Sequence, residues 1–159
     1  MLLLPQWAWE RIVAHCLDAL PLEACGLVAG VVEVTPGMGA GGLARSDGDA
    51  EQHILGSVAV VREVYPATNT SRSARLYTVE PLDLLRADRA AEAAGLTLIG
   101  VWHSHTNTPA YPSPTDVAQA PDAEWHYLLV SLSDTEPVLR SYRIADGRAV
   151  EEEVLTGPL

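Results

Sequence analysis

The chain has 159 residues, 48% of them hydrophobic and 19% charged, a balance that predicts one globular domain, residues 1–159, around one substantial core. Its formal net charge of −11 and pI near 4.7 argue against nucleic acid or an anionic membrane surface as partner. No apolar run approaches the ~20 residues a membrane span needs, and the apolar start Met1–Pro5 carries no basic residue and stops at proline, so no targeting segment and a cytoplasmic location are expected.

In chain order, Pro5 to Leu20 places Trp9, Ile12, Cys16 and Leu20 on or near one face and predicts an amphipathic helix. Cys25 to Val34 reads as an apolar strand. Pro36 to Ala50 is Gly-rich and polar, a surface loop. Within it Gly37, Gly39 and Gly42 satisfy GxGxxG formally, but proline precedes them and no clear helix follows, so a dinucleotide site is not expected. Gly56 to Tyr65 is a second apolar strand, Pro66 to Ala74 a polar loop, and Arg75 to Val79 a short strand. Pro81 to Ala94 predicts a helix closed by Gly95. Leu96 to Trp102 is a buried strand. Trp125 to Ser131, Pro137 to Ile144 and Val150 to Leu155 follow as strands, with Asp146-Gly147 as a hairpin turn. Strands mixed with two or three helices give an α/β fold, a mixed curved β-sheet flanked by helices. Cys16 and Cys25 read as buried thiols with no disulfide framework. His15, His53 and His126 lack partners at ligand spacing and read as structural.

The segment His103-Ser-His-Thr-Asn-Thr-Pro-Ala-Tyr-Pro-Ser-Pro-Thr-Asp116 carries the chemistry. In an extended chain positions i and i+2 point the same way, so both imidazoles can reach one ion. Two prolines force the following residues into a loop. Ser113 suits a helix N-cap and Pro114 the first helical position, which puts Asp116 in the first turn on the same side as Ser113. The loop can therefore fold a carboxylate back toward the histidines. Three protein ligands leave one coordination position open, the arrangement of catalytic rather than structural zinc. Other His-x-His enzymes fit poorly. Asn107 stands where metallo-β-lactamases need aspartate, the chain is short for an amidohydrolase barrel of ~250 residues, and the Pro-Cys-x-x-Cys of zinc deaminases is absent. No pattern in the residues singles out a general base: Glu23, Glu33, Glu63 and Glu80 all remain open.

His-x-His, seven residues, Ser, two residues, Asp resembles the signature of the JAMM (MPN+) metallopeptidases. Pro21-Leu-Glu23-Ala-Cys-Gly-Leu-Val-Ala-Gly30 resembles that family's glutamate-bearing element, Gly100-Val-Trp-His-Ser-His105 and Tyr111-Pro-Ser-Pro-Thr-Asp116 resemble its small bacterial branch, and the likeness spans roughly residues 5 to 145. The resemblance implies a cytidine-deaminase-like α/β sandwich holding Zn2+ on His103, His105 and Asp116. It implies Glu23 as the general base acting on a zinc-activated water and Ser113 as the hydroxyl that meets the developing oxyanion. It further implies a metallopeptidase or isopeptidase that cleaves after the C-terminal Gly-Gly of a ubiquitin-like sulfur-carrier protein, or frees that carrier from its conjugates. A zinc amidase acting on small amides and an inactive MPN-type scaffold are the alternative readings, and a weak homodimer is compatible with all three. One departure stands out: Thr106 occupies the position after the second histidine, where the family usually has proline.

Overall fold

The computed structural model describes residues 1–35 and 56–157; the Gly-rich run with its formal GxGxxG and His53 lie outside the described residues. Along the chain come β1 (Leu2–Pro5), α1 (Gln6–Asp18), β2 (Cys25–Thr35), β3 (Gly56–Ala67), α2 (Pro81–Ala93), β4 (Thr97–His105), α3 (Pro114–Gln119), β5 (His126–Ser131), β6 (Val138–Ala145), β7 (Arg148–Glu152) and β8 (Val154–Gly157). The eight strands form one mixed sheet in the order β7-β6-β5-β4-β2-β3-β1-β8. β4 runs parallel to β5, and β1 runs parallel to both β3 and β8; the remaining neighbours are antiparallel.

The curvature is written in the connectivity. β7 and β8 are opposite edges of the sheet, yet only Glu153 separates them in sequence. Two Cα–Cα steps span at most about 7.6 Å, so the sheet must coil until its edges nearly meet. Leu2 N–H donates to Glu153 O at 2.9 Å and closes that corner. The sequence reading had one strand over Val150–Leu155; the chain instead leaves one edge at Glu152 and joins the other at Val154. Met1–Pro5 supplies the strand between β3 and β8, a role its composition did not suggest.

Both faces of the sheet are covered, so its central strands are apolar throughout rather than alternating. α1 packs on one face with Ile12, Val13 and Cys16 against Val28, Val61, Trp102 and Leu128. On the other, Ala87 of α2 joins Leu27, Val101, Tyr127, Leu129 and Tyr142. Gly26 makes room for this packing: a Cβ there would lie 2.4 Å from the Trp102 ring and 2.4 Å from Tyr65 O. Leu20, expected in the α1 stripe, falls beyond the helix and is half exposed. Gly95 (φ 71°) follows the end of α2, and Asp146 and Gly147 (φ 50° and 72°) make the β6–β7 turn with both central residues left-handed, as a type I′ turn requires. Residues 75–79 do not form the expected strand: they make one isolated bridge, Val79 with Asn69, flanked by backbone bonds from Thr70 N–H to Thr78 O (2.9 Å) and from Glu80 N–H to Thr68 O (3.0 Å), and the Asn69 side chain adds further ties.

Candidate active site

β4 extends through both histidines. Val101, His103 and His105 share the α2 face, while Trp102 and Ser104 turn to the α1 face. Period-2 alternation thus aims both imidazoles at one point: their Nε2 atoms are 3.1 Å apart and both residues are buried. The loop after β4 is caught by its carbonyls. Ser131 Oγ donates to Thr108 O (2.7 Å), His105 Nδ1 lies 2.9 Å from Pro109 O, and Tyr142 Oη donates to Ala110 O (2.6 Å). Thr106 Oγ1 donates to Ala74 O at 3.3 Å, a bond proline cannot make, so the departure from the family pattern replaces ring stiffness with a cross-loop tie.

α3 then begins as its sequence predicts. Ser113 is the N-cap, Pro114 opens the helix, and Ser113 and Asp116 form a capping box: Asp116 N–H donates to Ser113 Oγ (3.1 Å) and Ser113 N–H to Asp116 Oδ2 (2.6 Å). The cap turns the carboxylate inward, with Oδ1 3.5 Å from His103 Nε2 and Oδ2 3.5 Å from His105 Nε2. The three ligand atoms lie within 4.8 Å of one another. Tetrahedral zinc with bonds of 2.0–2.2 Å sets its ligand atoms about 3.3–3.6 Å apart, close to the 3.1 and 3.5 Å separations here, so this triangle suits such an ion. The tautomer agrees: Pro109 O can only accept, so in the neutral His105 ring the proton sits on Nδ1 and the Nε2 lone pair faces the triangle.

Charge fits the same picture. Burial holds the His103 pKa down. Burial also acts to lower that of His105, but Asp116, the Pro109 carbonyl and Glu23 outweigh it and raise the pKa. Asp116 is desolvated too, yet its contacts with His103 and His105 hold it well below the usual carboxylate range.

Glu23 arrives through sheet register. Cys25 pairs with His103 in antiparallel β2–β4, so two residues back Glu23 falls opposite His105. The link continues past the ladder, with Ser104 N–H donating to Ala24 O (3.0 Å) and Ala24 N–H donating to Ser104 Oγ (2.8 Å). Glu23 is buried; desolvation pushes its carboxyl up to about 7, with His105 opposing and Asp116 adding to the rise. The other glutamates that sequence left open lie elsewhere: in the β2–β3 ladder Glu33 pairs with Val58 and Glu63 with Ala29, and Glu80 caps α2.

Two contributors were not legible beforehand. The Tyr77 ring stacks on His103 at 4.1 Å with 19° between planes, and Ser104 ties the Glu23 segment to the ligand strand. Ser104 had a weak signal, since alternation turns the residue between two ligands to the opposite face; Tyr77 had none. Cys25 lies two residues after Glu23, but burial pushes its thiol up to about 12, so it stays protonated. Outside the site, His126 pairs with Glu152. An open apolar trough of about 810 Å³ begins at His105 and Ser113 and runs along Pro109, Tyr111, Pro112 and Val117.

The CysO-cysteine peptidase of Mycobacterium tuberculosis is 38% identical over 146 residues, covering 91% of this chain and 84% of that protein. A probable TtuB-protein conjugate cleaving protease of Thermus thermophilus is 31% identical over 155 residues, 98% of this chain and 84% of that protein. The solution structure of protein DSY2949 from Desulfitobacterium hafniense superposes with a TM-score of 0.78 at 32% identity, covering 100% of this chain and 94% of that one. The family model for prokaryotic homologs of the JAB domain matches residues 5–145, from the end of β1 to the end of β6, and the chain belongs to that family.

Proposed function

We propose that this protein is a zinc-dependent peptidase that hydrolyses the amide bond after the C-terminal Gly-Gly of a ubiquitin-like sulfur-carrier protein. The observation that carries the reading is the triangle of His103, His105 and Asp116 with Glu23 set opposite His105. The two relatives support a peptidase that acts on conjugates, since one is named a CysO-cysteine peptidase and the other a probable TtuB-protein conjugate cleaving protease.

His103, His105 and Asp116 would hold the ion. Zinc in such a site supplies Lewis acidity, polarising a carbonyl and making a water acidic near neutral pH. Glu23, with a carboxyl at about 7, takes the proton of the attacking water and returns it to the leaving amine. Ser113 uses a lone pair of Oγ in its cap, which leaves its hydroxyl hydrogen free to donate to the oxyanion. The trough at His105 and Ser113 is open, which favours a protein tail over a small enclosed amide. An extended tail binds by adding to an exposed edge, and we place that edge at the end of β3 and along the loop that follows it, residues 66–79, where Arg72 and Arg75 are exposed.

The test is cleavage of a sulfur carrier extended beyond its Gly-Gly, run with wild type, Glu23→Ala and a chelated control. Cleavage after the last glycine that disappears in both controls is the expected result. Zinc binding without cleavage redirects the search to small amides, and absence of zinc binding favours a scaffold. Charge-reversing Arg72 or Arg75 should weaken cleavage through KM; an unchanged KM removes the edge assignment.

A further inference from the structure

Two parts of the site are held by no sheet ladder: the bend that carries Glu23 before β2, and the loop of residues 68–79 that carries Tyr77. One side chain spans both. A primary amide offers two N–H donors and an acceptor oxygen with two lone pairs, and Asn69 uses all four. Its Nδ2 donates to Glu23 O at 2.9 Å and to Leu76 O at 3.1 Å. Its Oδ1 accepts from Ser71 N–H and Thr78 N–H, each at 3.0 Å. The Ser71 bond is a local Asx turn. The other three reach the backbone of Glu23 and the residues on either side of Tyr77, whose ring lies against His103. Glu23 N–H donates to Ser73 O in the same loop (2.9 Å), so loop and bend are joined on both sides of the Glu23 peptide unit.

We propose that Asn69 is a positioning residue for hydrolysis, fixing the Glu23 backbone against the loop that carries Tyr77 in one register. The proposal rests on the assignment of Glu23 as base made above. Few other side chains fit the task. Aspartate keeps the two accepted bonds but sets a carboxylate oxygen against the carbonyls of Glu23 and Leu76; alanine leaves all four groups without their partner. Asn69 touches none of the three ligands in the triangle, so its loss should leave the metal in place and misplace the base.

The experiment uses the zinc-loaded full chain and a ubiquitin-like sulfur carrier extended past its Gly-Gly by one cysteine as probe. Asn69→Asp and Asn69→Ala are compared alone and combined with Glu23→Ala, reading kcat, KM, zinc per chain and Tm. Removing a residue that orients a catalytic group typically costs about 10–100-fold. That loss is expected in kcat for both single variants, with KM and zinc content unchanged. In the Glu23→Ala background, Asn69→Asp should cost nothing further, because groups that act as a unit are not additive. Wild-type kcat in zinc-loaded Asn69→Asp overturns the proposal. So does a full multiplicative loss in the double variant, or failure of both single variants to fold, each of which would make Asn69 purely structural. Undiminished turnover by Glu23→Ala alone would instead overturn the base assignment, whatever Asn69 does.

Discussion

Asp116 is placed for two jobs, helix cap and proposed zinc ligand, that a single atom swap can separate. Its backbone N–H and one carboxylate oxygen complete the α3 capping box, and both oxygens face the imidazoles at 3.5 Å. Asp116→Asn keeps the size and one acceptor oxygen, so the cap survives in part while the charge between His103 and His105 disappears. Four-ligand zinc peptides bind with ≈ 10–16 kcal/mol, about 2.5–4 kcal/mol per ligand, so losing this ligand should weaken zinc binding by roughly 10²–10³-fold. The assay is a zinc titration against a competing chelator, paired with melting curves. At free zinc about 100-fold above Kd, binding stabilises the wild type by ≈ 2.7 kcal/mol. At about 2–4 °C per kcal/mol for a domain this size, that is roughly a 5–11 °C rise in Tm. The same zinc concentration should raise the Tm of Asp116→Asn by little. An affinity within threefold of wild type, or an undiminished zinc-dependent rise, would refute Asp116 as a ligand and leave it only the cap.

Three further outcomes follow from the same geometry. Ser113→Ala should lower kcat by about 10²–10³-fold through the lost oxyanion donor, and Tm by roughly 2–4 °C through a cap worth ~1 kcal/mol; a fall in Tm alone would confine Ser113 to capping. Gly26→Ala forces a Cβ to within 2.4 Å of Trp102 and Tyr65 O, so a loss of about 3 kcal/mol or more is expected by denaturant melt, and a neutral substitution would contradict the Gly26–Trp102 packing. Zinc affinity should fall with acidification. Burial keeps His103 neutral and Asp116 stays ionised, so His105, raised chiefly by Asp116 against its own desolvation, is the ligand whose proton competes in mild acid. Measured in Glu23→Ala, so that the base does not contribute, log affinity should drop by about one per pH unit below the His105 pKa; a slope near two would mean that both histidines are protonated there.

The chain wrote down some of this directly. Alternation along an extended run fixes the side on which His103 and His105 emerge, and Ser113-Pro-Thr-Asp116 contains its own start signal for α3, because cap and carboxylate bond within four residues. The Asp146-Gly147 turn, the end of α2 at Gly95 and the central strands were legible for the same reason: each depends on neighbours a few residues apart. Glu23 was singled out only by resemblance to a family motif. Physically its place is a matter of register, since 80 residues separate it from His103 and only the antiparallel pairing of β2 with β4 sets it opposite His105. The segment 75–79 reads as a strand by composition, yet it makes only one isolated bridge, with few backbone bonds around it, and the Asn69 side chain adds further ties. Val150–Leu155 reads as one strand, but coiling of the sheet splits it between two edges. Tyr77 on His103, the Ser104 bond to Ala24 and the four bonds of Asn69 join residues distant along the chain. Local chemistry chose the side chains that can hold an ion; long-range pairing decided which carboxylate, ring and amide surround them.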